Sequence, residues 1–295
     1  MPQVPRWEAK RETVFLASLP NFALPGKSIT LADATVIREL TDSERRRISI
    51  SRQQGFFTVF GLNIVPDRFA IAVRETTQSY DEAEQNATSK FERVIRALRL
   101  LGTDSPVLEP SIAYQPRVAN STQLLWPSTL PRGRLSSTTS TYNLDKGRFA
   151  ELRRLYQGLS RVEGCYTKVK NALRRFDMGG FGRELPEDRL IDFWVALEAL
   201  FAKDDETQEL TYKFAIRIAH FIGNDRDDRK RLFDQLRKAY GVRSRIVHGS
   251  QPEDMRVEEA VQVTEDALRR SLYQIAIESK SPTSDELDTI IARGQ

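Results

Sequence analysis

The residue pattern changes its period at Asp145, and that change limits the chain to a mixed fold in two parts. From Val14 to about Thr77 the texture is strand-like. Short β-branched and aromatic runs, Val14-Phe15-Leu16, Ser28-Ile29-Thr30-Leu31, Thr35-Val36-Ile37, Ile48-Ser49-Ile50, Phe56-Phe57-Thr58-Val59-Phe60 and Phe69-Ala70-Ile71-Ala72-Val73, are separated by Pro, Gly, Asn and Asp, which reads as sheet. Ser79 can then cap a helix from about Asp81 to Leu101, with Phe91, Val94, Ile95, Leu98 and Leu101 at helical spacing and Gly102 as its stop. A helix laid on a small sheet makes an α+β domain, expected over residues 1–102. Residues 103–145 are poor in Lys and Glu and rich in Pro, Ser and Thr. They read either as a linker or as an irregular extension of the sheet, with Leu124-Leu125-Trp126 packing part of it.

Beyond Asp145, a candidate N-cap, the pattern is helical. Phe149, Leu152, Leu155, Tyr156, Leu159 and Val162 recur at three and four residues, and Val169, Leu173 and Phe176 resume the stripe before Gly179-Gly180 breaks it. Pro186 suits a first helical turn and opens a helix through Phe201. Further helices are expected over about 207–222 and 227–240. Gly241 is expected to separate the latter from a short helix over Arg243 to His248, and Pro252 to open a long helix to about Glu278. The expectation is an all-α bundle over 146–279, followed by a tail at 280–295.

At 295 residues the chain has room for two domains. A composition of 40% hydrophobic and 29% charged residues argues against disordered and fibrous classes. The single cysteine, Cys165, excludes an intramolecular disulfide and a Cys-based zinc cluster, and it is expected to pack in a helix. Met1 to Trp7 has no apolar signal-peptide run, and no stretch approaches the ~20 apolar residues of a membrane span, so no membrane role and a cytoplasmic setting are expected. The net charge of +4 is compatible with a polyanion, but equally with a surface of scattered Arg.

Chemistry concentrates in Tyr240-Gly241-Val242-Arg243-Ser244-Arg245-Ile246-Val247-His248-Gly249. His titrates near neutral pH and Arg donates well to phosphate oxygens, so the two can cleave a phosphodiester. The bland alternative is a capping His beside solvated arginines. Arg243 and His248 stand about 140° apart around an ideal helix, whereas Arg245 shares the face of His248 and is a phosphate-contact candidate. Glu198 has Ile191, Trp194, Val195 and Phe201 at helical offsets, and Arg217 has Leu210, Phe214 and Phe221. Both therefore point inward, so these opposite charges meet each other or meet the Arg243 helix, as a site or as a buried ion pair that fixes register. Asp192 is expected to be solvated or paired locally, and His220 to be structural. No His-rich or Cys-rich spacing indicates a metal, no cofactor is indicated, and Gly179-Gly180-Phe181-Gly182 lacks a following Lys-Ser or Lys-Thr and reads as an interhelical loop.

Three ordered stretches, Asp188 to Phe201, Glu209 to Ala219 and Tyr240 to Gly249, together resemble an Apea-like HEPN domain over roughly residues 146 to 279. The resemblance implies a small helical bundle that acts as a metal-independent endoribonuclease, with an active site formed where two copies pair. Arg243 and His248 take the positions of the family's Arg and His, with Glu198, Arg217, Ser244 and Arg245 in supporting or phosphate-binding places. Many active members carry Asn, Asp or His directly after the Arg. Here that position is Ser244, which can hydrogen-bond but carries no charge. The implied activity is a homodimer cutting single-stranded RNA by 2′-hydroxyl attack, in antiphage defence or toxin-like growth arrest. The competing expectation is a non-catalytic RNA-binding or dimerisation module served by an N-terminal recognition domain.

Overall fold

The computed structural model describes residues 6–20, 22–54, 68–102, 106, 108, 111–116, 118, 121–125, 141–203, 210–250 and 252–292. It is mixed: a small antiparallel sheet with helices comes first, and a helical region follows. The expected strand at Phe56–Phe60 lies outside the described residues.

The sheet is built from β1 (Arg6–Leu19), β3 (Ser28–Thr30), β4 (Thr35–Glu39), β5 (Phe69–Ser79), β6 (Ser111–Tyr114) and β7 (Gln123–Leu125), in the order β3-β4-β5-β1-β6-β7 with antiparallel neighbours. The stretch 103–145 thus supplies two sheet strands. It also supplies β8 (Tyr142–Asn143), which pairs in parallel with β2 (Phe22–Ala23). Successive strand residues face opposite sides. One side gathers Val14, Leu16, Ala70, Ala72 and Ile112 under Ile48 of α1 (Asp42–Gln54). The other is covered by α2 (Tyr80–Leu101), whose Ser79 cap accepts from the Glu82 N–H. Burial on both sides explains why Phe69 to Val73 form an unbroken apolar run.

Helix α1 corrects one expectation, because Ile48-Ser49-Ile50 is helical and not a strand. The deciding signal is Thr41-Asp42-Ser43-Glu44, a capping box. Thr41 Oγ1 accepts from the Glu44 N–H at 3.3 Å, and Glu44 Oε2 accepts from the Thr41 N–H at 3.0 Å. Arg38 and the Tyr114 hydroxyl donate to the same carboxylate, and Arg38 is the chief lowering partner that offsets burial and takes the Glu44 pKa down to about 2.

The compact-unit boundary falls between Gln157 and Gly158, inside α3 (Phe149–Cys165), and not at residue 146 as expected. The reason is polar. The Tyr156 hydroxyl meets Thr35 Oγ1 at 3.0 Å and Arg153 Nε donates to the Thr30 carbonyl at 2.7 Å, so the first turns of α3 belong with the sheet. Cys165 ends this helix exposed, where packing was expected.

The second unit holds α4 (Thr167–Asp177), α5 (Pro186–Phe201), α6 (Leu210–Ile222), α7 (Arg226–Val247), α8 (Asp254–Glu278) and α9 (Ser284–Ala292). Central in it is α5, which packs against α4, α6, α7 and α8. Leu190, Phe193, Trp194, Leu197, Leu200 and Phe201 are buried around much of its circumference, as a helix enclosed by others requires. Between α4 and α5, Met178–Gly182 forms a π-helical turn where a loop was expected. Gly179 is required there, since a Cβ would stand 2.5 Å from the Phe193 ring.

Two helical expectations change. Gly241 does not divide the chain, because α7 runs unbroken from Arg226 to Val247. An interior Gly costs only about 1 kcal/mol, and buried Ala239 and Val242 anchor the turns on either side of it. Residues 284–292 are not tail but α9, with Leu287 buried against the unit.

Candidate functional site

Spacing along two helices assembles the site. Trp194 and Glu198 share one face of α5 at four residues, and Tyr240 and Arg243 share one face of α7 at three. Where the faces meet, Arg243 Nη2 lies 3.4 Å from Glu198 Oε1, both side chains half-buried. The Arg243 guanidinium carbon stands 5.5 Å from the centre of the Tyr240 ring, and that ring meets Trp194 edge-on at 5.0 Å and 88°. A cation over an aromatic face is attracted by the ring quadrupole. A charge-assisted hydrogen bond normally closes to 2.7–2.9 Å, so the Glu198 contact is a loose one. Arg243 Nε, although buried, has no hydrogen-bond partner among the described residues, and neither has Trp194 Nε1.

Burial pushes the Glu198 carboxyl above the ordinary glutamate range, with Arg243 opposing it. Burial likewise raises the Tyr240 phenol, helped by the negative Glu198. A half-buried arginine thus shares its pocket with a reluctant carboxylate.

His248 sits at the end of α7 and is exposed. Gly249 adopts φ +82°, its N–H donates to the Ile246 carbonyl at 3.0 Å, and the Ser250 N–H reaches the Arg245 carbonyl at 2.9 Å. This pair of bonds is the Schellman closure that favours glycine. It ends the helix just past the imidazole, as the sequence leads one to expect. No contact among the described residues joins His248 to Arg243, in keeping with their angular separation.

Of the two meetings open to the inward charges, Glu198 meets Arg243. Arg217, 2% exposed, turns elsewhere: Nε and Nη2 bind the two oxygens of Asp288 at 2.8 and 3.0 Å, and Nη1 donates to the Phe201 carbonyl at 3.2 Å. It holds α9 and the end of α5. Ser244 is half-buried, and its carbonyl accepts from the His248 N–H at 3.1 Å. Arg245 is exposed, with Nε 3.4 Å from the Gly241 carbonyl. Of the two alternatives for Asp192, pairing holds and solvation does not: it is 1% exposed and clamped by Arg175 at 2.6 Å and by Arg183, nine residues before it, at 2.7 Å. Its place at the α4–α5 contact puts it indoors. His220 lines a separate cavity of ≈ 630 Å³ with Phe221, Gln274 and Leu287.

Among the described residues, no three His, Cys, Asp or Glu side chains converge as a metal site, and no helix is long and apolar enough to cross a membrane. Sequence reasoning missed the orienting part of Tyr240 and Trp194. The signal was present in the three-residue step from Tyr240 to Arg243 and the four-residue step from Trp194 to Glu198.

No protein-family model, curated protein or solved structure matches the chain. What the site can do follows from its own groups. A positioned guanidinium can neutralise a phosphate, and an imidazole at an open helix end can exchange protons with a bound molecule.

Proposed function

We propose that the chain is a metal-independent endoribonuclease of the HEPN type, acting as a homodimer on single-stranded RNA. The observation that carries the proposal is the presence on one helix of an oriented Arg243, in contact with Glu198 and Tyr240 and with Nε unpartnered among the described residues, and of an exposed His248 at the end of that helix. In this mechanism the RNA 2′-oxygen attacks the adjacent phosphorus, forming O2′–P and breaking P–O5′. His248 takes the 2′-proton or delivers one to the leaving O5′, and the products carry a cyclic phosphate and a 5′-hydroxyl. Arg243 stabilises the charge that grows on the phosphoryl oxygens, worth a few kcal/mol in such sites. One copy offers one acid-base group, and a two-fold dimer offers two from the same sequence. Antiphage defence or toxin-like growth arrest is the setting that the resemblance suggests.

A second reading, a non-catalytic RNA-binding or dimerisation module, is favoured by Ser244 and by the occupation of Arg243 by Glu198. An RNA cleavage assay in EDTA separates the two. The nuclease cuts RNA and spares DNA, and His248→Ala lowers the rate by roughly 10² to 10⁴. Light scattering gives about twice the 33.8 kDa chain mass. Equal cutting by both proteins, a Mg²⁺ requirement, or a fully active monomer overturns the proposal.

A further inference from the structure

Two residues on from Tyr240 and Arg243, and so about 200° round α7 from them, Val242 and Arg245 look toward α8 instead. There a groove of ≈ 470 Å³ runs between α7 and α8, lined by Lys238, Val242, Arg245, Arg256, Glu259 and Ala260 among others. Its floor is apolar, with Val242 and Ala260 buried, and its rims carry three cations against one carboxylate. Lys238 and Arg245 make no ion pair among the described residues. Arg256 is tied only to Glu253, at 3.1 Å with both side chains exposed, a contact of little worth that a phosphate can replace.

We infer that this groove is a binding track for single-stranded nucleic acid, leading the strand along α7 to the end that carries His248. The inference deepens the proposed ribonuclease and rests on that reading for the identity of the strand's destination. Lys238 and Arg245 are seven residues apart, about 10 Å along the helix, which is about three phosphates of a stacked strand at about 3.4 Å each. Two antiparallel helices place Arg256, from the first turn of α8, toward the Arg245 end. Cations on the rims meet the backbone while ribose and base edges cover the Val242 and Ala260 floor. Arg245 lies one helical turn before His248, so the track ends at the imidazole, on the side of α7 away from the Arg243 of the same copy.

The experiment measures binding of a short, uncleavable 2′-O-methyl oligonucleotide to the full chain by fluorescence anisotropy across a salt series, in parallel with RNA cleavage. Lys238→Glu with Arg256→Glu is compared with Arg226→Glu and Lys230→Glu, the same change in charge on exposed residues at the far end of α7. The groove pair should weaken binding more than tenfold and reduce the salt slope by about 1.4, since each phosphate contact on a single strand contributes about 0.7. The far-end pair should leave binding within about twofold, and melting curves confirm that both variants fold. Oligonucleotide binding by a wild type that cuts no RNA keeps the groove and removes the nuclease. Cleavage and binding that survive the groove pair keep the nuclease and overturn the groove. No oligonucleotide binding by wild type, or binding of an acidic peptide in its place, also overturns it.

Discussion

Arg217 and Asp288 meet in a two-bond fork, with the arginine 2% exposed and the aspartate on a helix that the sequence pattern presents as tail. This makes α9 part of the second unit's structure. It also takes Arg217 away from Glu198 and assigns it a structural task.

Asp288→Ala should destabilise the second unit by about 1–3 kcal/mol, the range for leaving a buried donor such as the Arg217 guanidinium without its acceptor. Asp288 is partly exposed, which favours the lower end. Arg217→Met and the double variant complete a thermodynamic cycle, and strict additivity would show that the fork contributes nothing. The bond from Arg217 holds the Asp288 pKa below the ordinary value. The stabilisation is therefore full above the unfolded pKa of about 3.9 and fades as pH falls through the lowered folded value. In urea titrations the wild type should converge on Asp288→Asn only in that acid range.

Glu198 has the opposite sign. Its folded pKa is raised, chiefly by burial, so ionising it opposes folding even beside Arg243. Stability linked to this group is present below its unfolded pKa and is lost as pH rises through the folded one. Glu198→Gln should therefore melt at or above the wild-type temperature at pH 7, with the gap closing toward pH 4. A clear loss of stability at pH 7 would mean that the 3.4 Å contact with Arg243 outweighs desolvation.

Gly158 fixes how closely α3 approaches α8. A Cβ placed there would stand 1.8 Å from the Ala276 carbonyl oxygen, which is backbone and cannot rotate aside. Gly158→Ala should cost about 1–3 kcal/mol through forced separation of the helices, despite alanine's better helix propensity. Chemical denaturation decides it, and an unchanged midpoint would refute the close contact.

Much of the helical region was legible because a 3.6-residue stripe needs only local sequence. The α5 stretch, the Ser79 cap of α2 and the Gly249 stop all follow from side chains within a turn of one another. Two misreadings of local structure came from weak signals outweighing strong ones. Ile48 and Ile50 suggested a strand where the Thr41–Glu44 capping box made a helix, and Gly241 suggested a break that Ala239 and Val242 bridge.

By itself the sequence determined that Glu198 and Arg217 point inward, since each sits among apolar residues at helical offsets, but it left Asp192 on the wet side where the structure buries it. It also determined that His248 closes a helix before Gly249 and that Arg243 faces away from it. Only the tertiary structure decided which charges meet, because offsets along one helix fix a direction while the partner comes from another element. Glu198 found Arg243 across the α5–α7 contact, Asp192 found Arg175 and Arg183, and Arg217 found Asp288, 71 residues on. Packing of whole helices sets those distances, and no local pattern encodes them.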